Sequence, residues 1–215
     1  MMTLDFFYTG LLQSLILALV AYAIMIPFRL LNFSDLTAEG AYPLGGAVCT
    51  TLLLLNMHPI LALLIASVAS GLMGVATSLI HLRLKVNTLL AGIILSTMMY
   101  SVNLRLMGKP NIALFNTLSV FSQTNILYNI GLLVCVLLFL ILVLSLFLRT
   151  EFGLKLRAVG LNPAFAYQQN ISVVQYTMLG MFFAGCCTGM AGGLIVQLQH
   201  YMDVGMGVGI VIHAL

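Results

Sequence analysis

Arg149-Thr-Glu-Phe-Gly-Leu-Lys-Leu-Arg-Ala-Val-Gly-Leu-Asn-Pro-Ala-Phe-Ala-Tyr-Gln-Gln-Asn-Ile-Ser172 is the one long polar interruption between apolar runs that are each long enough to cross a bilayer. It holds three of the eight basic residues, Arg149, Lys155 and Arg157. It also carries the signals of a very short helix. Asn162 is a good N-cap, because its side-chain oxygen accepts from a free amide of the first turn. Pro163 follows at the first helical position, where a missing N–H costs nothing and a fixed φ suits the helix. Asn170 tolerates the left-handed conformation that stops a helix. The two turns over 163–169 are too few to be stable alone in water. The segment therefore reads as a contact element rather than a packing unit.

Outward from this stretch, the chain is 62% hydrophobic and 6% charged, against about 25% charged in soluble domains. This composition belongs to an integral membrane protein, all-α, with 1–215 as a single transmembrane domain. At roughly 20 apolar residues per span, spans fall near 9–31, 40–57, 59–82, 88–104, 126–148 and 173–198. A seventh apolar run, 204–215, is either re-entrant or a helix cut short. Gly205, Gly207 and Gly209 ahead of Ile210-Val-Ile favour the second reading, so a C-terminal truncation is expected. The expectation is six to seven transmembrane helices, with Pro27 and Pro43 bending or breaking two of them. The first residues carry Asp5 and no basic n-region, so the first apolar run is expected to remain as a membrane helix.

Lys and Arg set the orientation. If 149–172 is cytoplasmic, its side also receives Arg29, Arg83 and Lys85, while the other side receives only Arg105 and Lys109. The N-terminus is then external.

Glycines at 40, 45, 46, 71, 74, 185, 189, 192 and 193 permit close helix approach, with a glycine-lined pathway or hinge as the alternative. The four cysteines, Cys49, Cys135, Cys186 and Cys187, lie in apolar runs without metal spacing and read as small buried hydrophobes.

Charge at membrane depth asks for a reason. Asp35 and Glu39, four apart and sharing a helix face, read either as helix-capping residues (with Ser34 as another candidate cap) or as groups in a substrate pathway or gate. Arg29 could neutralise part of their charge. Asn32, Asn87 and Asn103 are further pathway candidates, although helix-end hydrogen bonding explains the asparagines equally well. Arg105 and Lys109 open an irregular segment over about 105–125 and could meet an acidic external partner or simply be solvated. His200, Tyr201 and Asp203 form a possible polar site near the last break. The histidines show no metal spacing, no nucleophile or metal motif occurs, and no GxxxxGK[ST] loop is present for ATP.

Phe28-Arg-Leu-Leu-Asn-Phe-Ser-Asp-Leu-Thr-Ala-Glu-Gly-Ala-Tyr-Pro-Leu-Gly45 resembles the start of permease subunits of ABC importers of the branched-chain-amino-acid and ribose class. Leu89-Leu-Ala-Gly-Ile-Ile with Tyr100-Ser-Val-Asn-Leu-Arg-Leu-Met-Gly-Lys-Pro-Asn111 resembles an uncharacterised branch of that class. Arg157-Ala-Val-Gly-Leu-Asn162, with Ala166 and Asn170-Ile-Ser172, is similar to the segment with which such permeases engage their ATPase, and Asp203-Val-Gly-Met-Gly207 resembles the next block. Asn170 stands where the family usually has glycine, and members continue beyond residue 215.

The resemblance implies a coupling helix that involves Arg157, Ala158, Gly160, Asn162, Pro163, Phe165, Tyr167 and Asn170. It implies a cytoplasmic ATP-binding cassette subunit carrying ATP-Mg, a periplasmic or extracellular solute-binding protein, a homodimer or paired permease, and a bacterial plasma (inner) membrane. The chain itself would hold no cofactor, carry out no catalysis and bind membrane lipid but no nucleic acid. Its cargo would be an amino acid or related small polar solute. The alternative is an ATP-independent transporter or channel using Asp35 and Glu39 as ion or proton sites.

Overall fold

The computed structural model describes residues 2–33, 35–115, 117–121 and 126–214, with the side chains of 2–6 and 126 left aside. Ser34, a candidate cap, lies outside them. Nine α-helices and one π-helical turn run in the order α1 (Met2–Met25), the π turn (Ile26–Leu30), α2 (Ala38–Leu54), α3 (Pro59–Leu84), α4 (Thr88–Met107), α5 (Ile126–Arg149), α6 (Glu151–Leu161), α7 (Pro163–Gln168), α8 (Val173–Gln199) and α9 (Ile210–Ala214) among the described residues. Strands β1 (Asn111–Ala113) and β2 (Tyr201–Asp203) form an antiparallel pair with Ile112 opposite Met202.

Five helical stretches among the described residues are long and apolar enough to cross a membrane: Phe7–Leu30, Pro59–Leu84, Thr88–Met107, Leu127–Arg149 and Val173–Gln199. The expected second span is the exception in length. α2 has 17 residues, about 26 Å of helix, shorter than the hydrocarbon core. It is also the most enclosed by others, packing on α3, α4 and α8.

Small residues set that packing. A Cβ at Gly45 would lie 2.5 Å from the Gly189 Cα, and one at Gly192 would lie 2.0 Å from the Tyr42 carbonyl. The Ser70 hydroxyl of α3 donates to the Ala41 carbonyl of α2 at 3.0 Å, and a Cβ at Gly189 of α8 would clash with the Ser70 side chain. The glycines thus let three backbones meet at one point, as the packing reading expects.

Pro27 lies within the π turn and Pro43 within α2. Pro27 has no N–H to donate and the turn widens, with Leu31 N–H reaching the Ile26 carbonyl at 3.2 Å. Pro43 leaves the Glu39 carbonyl without its usual helical donor, and Gly207 packs on that carbonyl so closely that a Cβ there would be 2.0 Å away.

Several expectations change. Residues 149–172 are not one loop with one short helix: α6 occupies its first half, capped by the Thr150 hydroxyl, which accepts from the Gly153 amide at 3.5 Å. The 105–125 segment is not wholly irregular, since β1 pairs with β2 and Leu114 N–H reaches the His200 carbonyl at 2.8 Å. Residues 204–209 run through turns and lead into α9 from Ile210, so the glycines precede a helix entry as expected. Among the cysteines, Cys49 is buried but Cys135 is exposed on α5, the most apolar and least covered helix.

Candidate functional site

α7 projects from one end of the bundle, between α6 and α8. Its ends are built as the residues dictate. The Asn162 side chain accepts from the Phe165 amide at 3.1 Å, satisfying an orphan donor. Pro163 takes the first helical position. At the other end Asn170 has φ of 59°, and the following Ile171 N–H closes on the Ala166 carbonyl at 3.0 Å. Asn therefore reaches the left-handed stop that glycine would take more easily.

Only Ala166 of α7 is buried. Phe165 is 54% exposed, Tyr167 79% and the neighbouring Leu161 88%. The residues expected here divide into two groups. Asn162, Pro163, Phe165, Tyr167 and Asn170 are exposed, as is Arg157 of α6. Ala158 is half-buried and Gly160 is buried. A Cβ at Gly160 would come within 1.9 Å of the Leu30 carbonyl, so Gly160 seats α6 on the π turn and presents nothing outward.

The membrane-depth residues do not form one site. Asp35 is not helical and does not share a face with Glu39. It is 5% exposed and accepts from the Thr37 amide at 2.8 Å and from the Thr37 hydroxyl. Thr37 lies 3.0 Å from the Thr77 hydroxyl of α3, and Gly92 of α4 packs against Asp35 and the next amides. Asp35 thus organises the start of α2, beside an enclosed space of about 10 Å³ that also touches Thr188, enough for no more than one water.

Glu39 instead lines a separate cavity of about 320 Å³ with Ser96, Thr97, Tyr100, Val204 and Gly207. Arg29 joins neither carboxylate; it lines a cleft with Arg157. Asn32 is exposed with φ of 50°. Asn87 caps α4, accepting from the Leu89 amide at 3.0 Å. Asn103 is fully buried, and both of its amide atoms lack a partner among the described residues. Arg105 and Lys109 are exposed at the end of the bundle that carries β1. Asp203 acts locally, accepting from the Gly205 amide at 2.9 Å.

Sequence reasoning missed one residue, Gln197. It is 1% exposed, accepts from the Val120 amide at 3.0 Å and donates to the Pro59 carbonyl at 3.4 Å and the Cys49 sulfur at 3.3 Å. A glutamine inside a 27-residue apolar helix was the available signal. Among the described residues no group of His, Cys, Asp and Glu could hold a metal ion.

Apolar spans around a short buried helix, with a capped surface helix at one end, define a polytopic helical membrane protein. Residues 6–215 match the family described as the branched-chain amino acid transport system permease component, and the chain belongs to that family. It is 33% identical over 200 residues to a tyrosine transport system permease protein of Clostridioides difficile (strain R20291), covering 92% of this chain and 66% of that protein. It is 31% identical over 202 residues to an uncharacterised protein of Rickettsia prowazekii (strain Madrid E), covering 94% of this chain and 71% of that protein. A nucleoside ABC transporter permease of Lactococcus lactis subsp. cremoris (strain MG1363) is 24% identical over 162 residues, covering 66% of this chain and 50% of its own length. The chain thus spans 66% of the first of these relatives. No solved structure matches it.

Proposed function

We propose that the chain is the membrane-spanning permease subunit of an ATP-driven importer for a small polar solute, an amino acid or related compound. In this reading it works as a dimer in the bacterial plasma membrane, with cytoplasmic ATP-binding cassette subunits holding ATP-Mg and an external solute-binding protein. The N-terminus is external, and Arg105 and Lys109 face the binding protein. The observation that carries the reading is α7: a helix of six residues, capped at both ends, that buries one alanine and turns two aromatic side chains outward. Exposed aromatics on a rigid short helix are natural anchors for a groove in a partner. ATP binding would pull the ATPase pair together, and α6 would transmit the movement, because its Gly160 contact ties it to the π turn at the end of the first span. This is coupling by contacts that differ between two states.

The ion-coupled alternative draws less support. It needs Asp35 and Glu39 to act together, yet Asp35 is engaged by Thr37 while Glu39 lines a different space. Glu39, Ser96, Thr97 and Tyr100 remain the better polar lining for a solute path. The amino-acid cargo rests on the family description and on the printed name of the C. difficile relative.

Purification of the permease from its native membrane tests the assignment. An ATP-hydrolysing subunit should accompany it, and a thermal-shift panel on the cognate solute-binding protein should name the cargo. A permease that transports alone, with no ATPase attached, would overturn it.

A further inference from the structure

Arg29 of the π turn and Arg157 of α6 line one cleft of about 380 Å³ whose other walls are Met25, Leu30, Leu148 and Leu161. The cleft is held in shape by two glycine contacts on α6. Gly153 packs on the Leu148 backbone at the end of α5, and Gly160 packs on the Leu30 backbone at the end of the π turn. Arg157 lies between them at helical spacing, on the face that those glycines bring close. Both arginines therefore line the same space.

Neither arginine has a carboxylate partner among the described residues, where the one ion pair is Lys155 with Glu151 at 3.6 Å. Two like charges at one cleft disfavour each other unless an anion lies between them. The depth is also telling. Leu30 and Arg149 end two membrane-crossing stretches, so the cleft opens where headgroups lie. Its leucine and methionine walls continue down α1 and α5, and α5 is the least covered of the crossing helices.

We propose that this cleft binds the phosphate of an anionic phospholipid, with the acyl chains lying along α1 and α5. Guanidinium groups match phosphate oxygens in bidentate geometry, and basic clefts between helix ends select anionic headgroups. The apolar walls favour a lipid over an acidic side chain of a protein partner or a free phosphate. The site does not depend on α7 docking an ATPase.

Native mass spectrometry of the detergent-purified permease tests this, with dioleoyl-phosphatidylglycerol and dioleoyl-phosphatidylcholine titrated in parallel. Wild type should retain phosphatidylglycerol in preference to phosphatidylcholine. Arg29→Gln with Arg157→Gln should weaken phosphatidylglycerol binding roughly thirtyfold, about fivefold for each change alone. Phosphatidylcholine, whose phosphate is offset by its own choline cation, should lose much less, and an unchanged size-exclusion profile reports an intact fold. Arg83→Gln with Lys85→Gln, removing two cations elsewhere, should leave the preference in place. Equal retention of both lipids by wild type would overturn the proposal, as would an equal loss in the Arg83/Lys85 variant. So would displacement of the lipid by millimolar inorganic phosphate alone. A double arginine variant that loses a protein partner but keeps its phosphatidylglycerol preference would also overturn it.

Discussion

Asn162 and Asn103 are the same residue type in opposite circumstances. Asn162 spends its side-chain oxygen on the Phe165 amide and fixes where α7 begins. Asn162→Ala should destabilise that turn by about 1 kcal/mol, read as faster amide exchange over 163–168 with the rest of the bundle unchanged. Asn103 is fully buried with neither amide atom partnered among the described residues, at a desolvation cost of about 1–3 kcal/mol. Asn103→Leu should therefore raise the apparent Tm in detergent, or at least not lower it. A fall of several degrees would mean that the amide has a partner in the assembled protein. Asp35 shows how a suspicious charge resolves at this scale. Its carboxylate holds the Thr37 amide and hydroxyl, closing a turn just before α2 rather than capping the free amides of the helix itself.

Among the elements, α2 and α8 depend on glycine for contact, whereas α5 does not. A Cβ at Gly189 would lie 2.2 Å from the Ser70 hydroxyl oxygen, but one at Gly131 of α5 would meet nothing within 4 Å. Gly189→Leu should leave no monodisperse protein on size exclusion. Gly131→Leu should be tolerated, because the side chain enters lipid and a helix gains from losing glycine. The same contrast explains what the residues foretold. Apolar length located the crossing helices, and Asn162, Pro163 and Asn170 located α7 to within a residue or two, because caps are local signals. α6 was not legible. Glu151 and Lys155 share one face, but Arg157 falls on another beside Leu154 and Leu161, so no clean apolar stripe shows. The helix is seated by Gly153 on the Leu148 backbone and by Gly160 on the distant Leu30 backbone. β1 and β2 were hidden for a similar reason: three residues each, paired across about ninety positions of sequence. The pairing of Asp35 with Glu39 failed because a four-residue spacing implies one face only if both residues are helical.

Across the whole molecule, one end carries the π turn, α6 and α7, and the other carries the β1–β2 pair and the Gln197 junction. Six basic residues fall at the first end and two at the second, so the proposed orientation sets α7 in the cytoplasm. Phe115→Cys and Tyr167→Cys, placed singly in a background without the native cysteines, test it. An impermeant maleimide added to intact cells should label Phe115→Cys, exposed at the β1 end, and should reach Tyr167→Cys only after permeabilisation. The reverse pattern would invert the orientation. In the proposed reading the two ends would have separate tasks, a mechanical contact on one side and solute delivery on the other, with the glycine-packed α2, α3 and α8 between them.

The most direct measurement is the amount of ATP-binding subunit that co-purifies with Phe165→Ala/Tyr167→Ala relative to wild type at equal permease recovery. Loss of two anchoring aromatics should reduce it more than tenfold, with the permease still inserted and monodisperse. An unchanged ratio of ATPase to permease would contradict the assignment of α7 as the coupling helix.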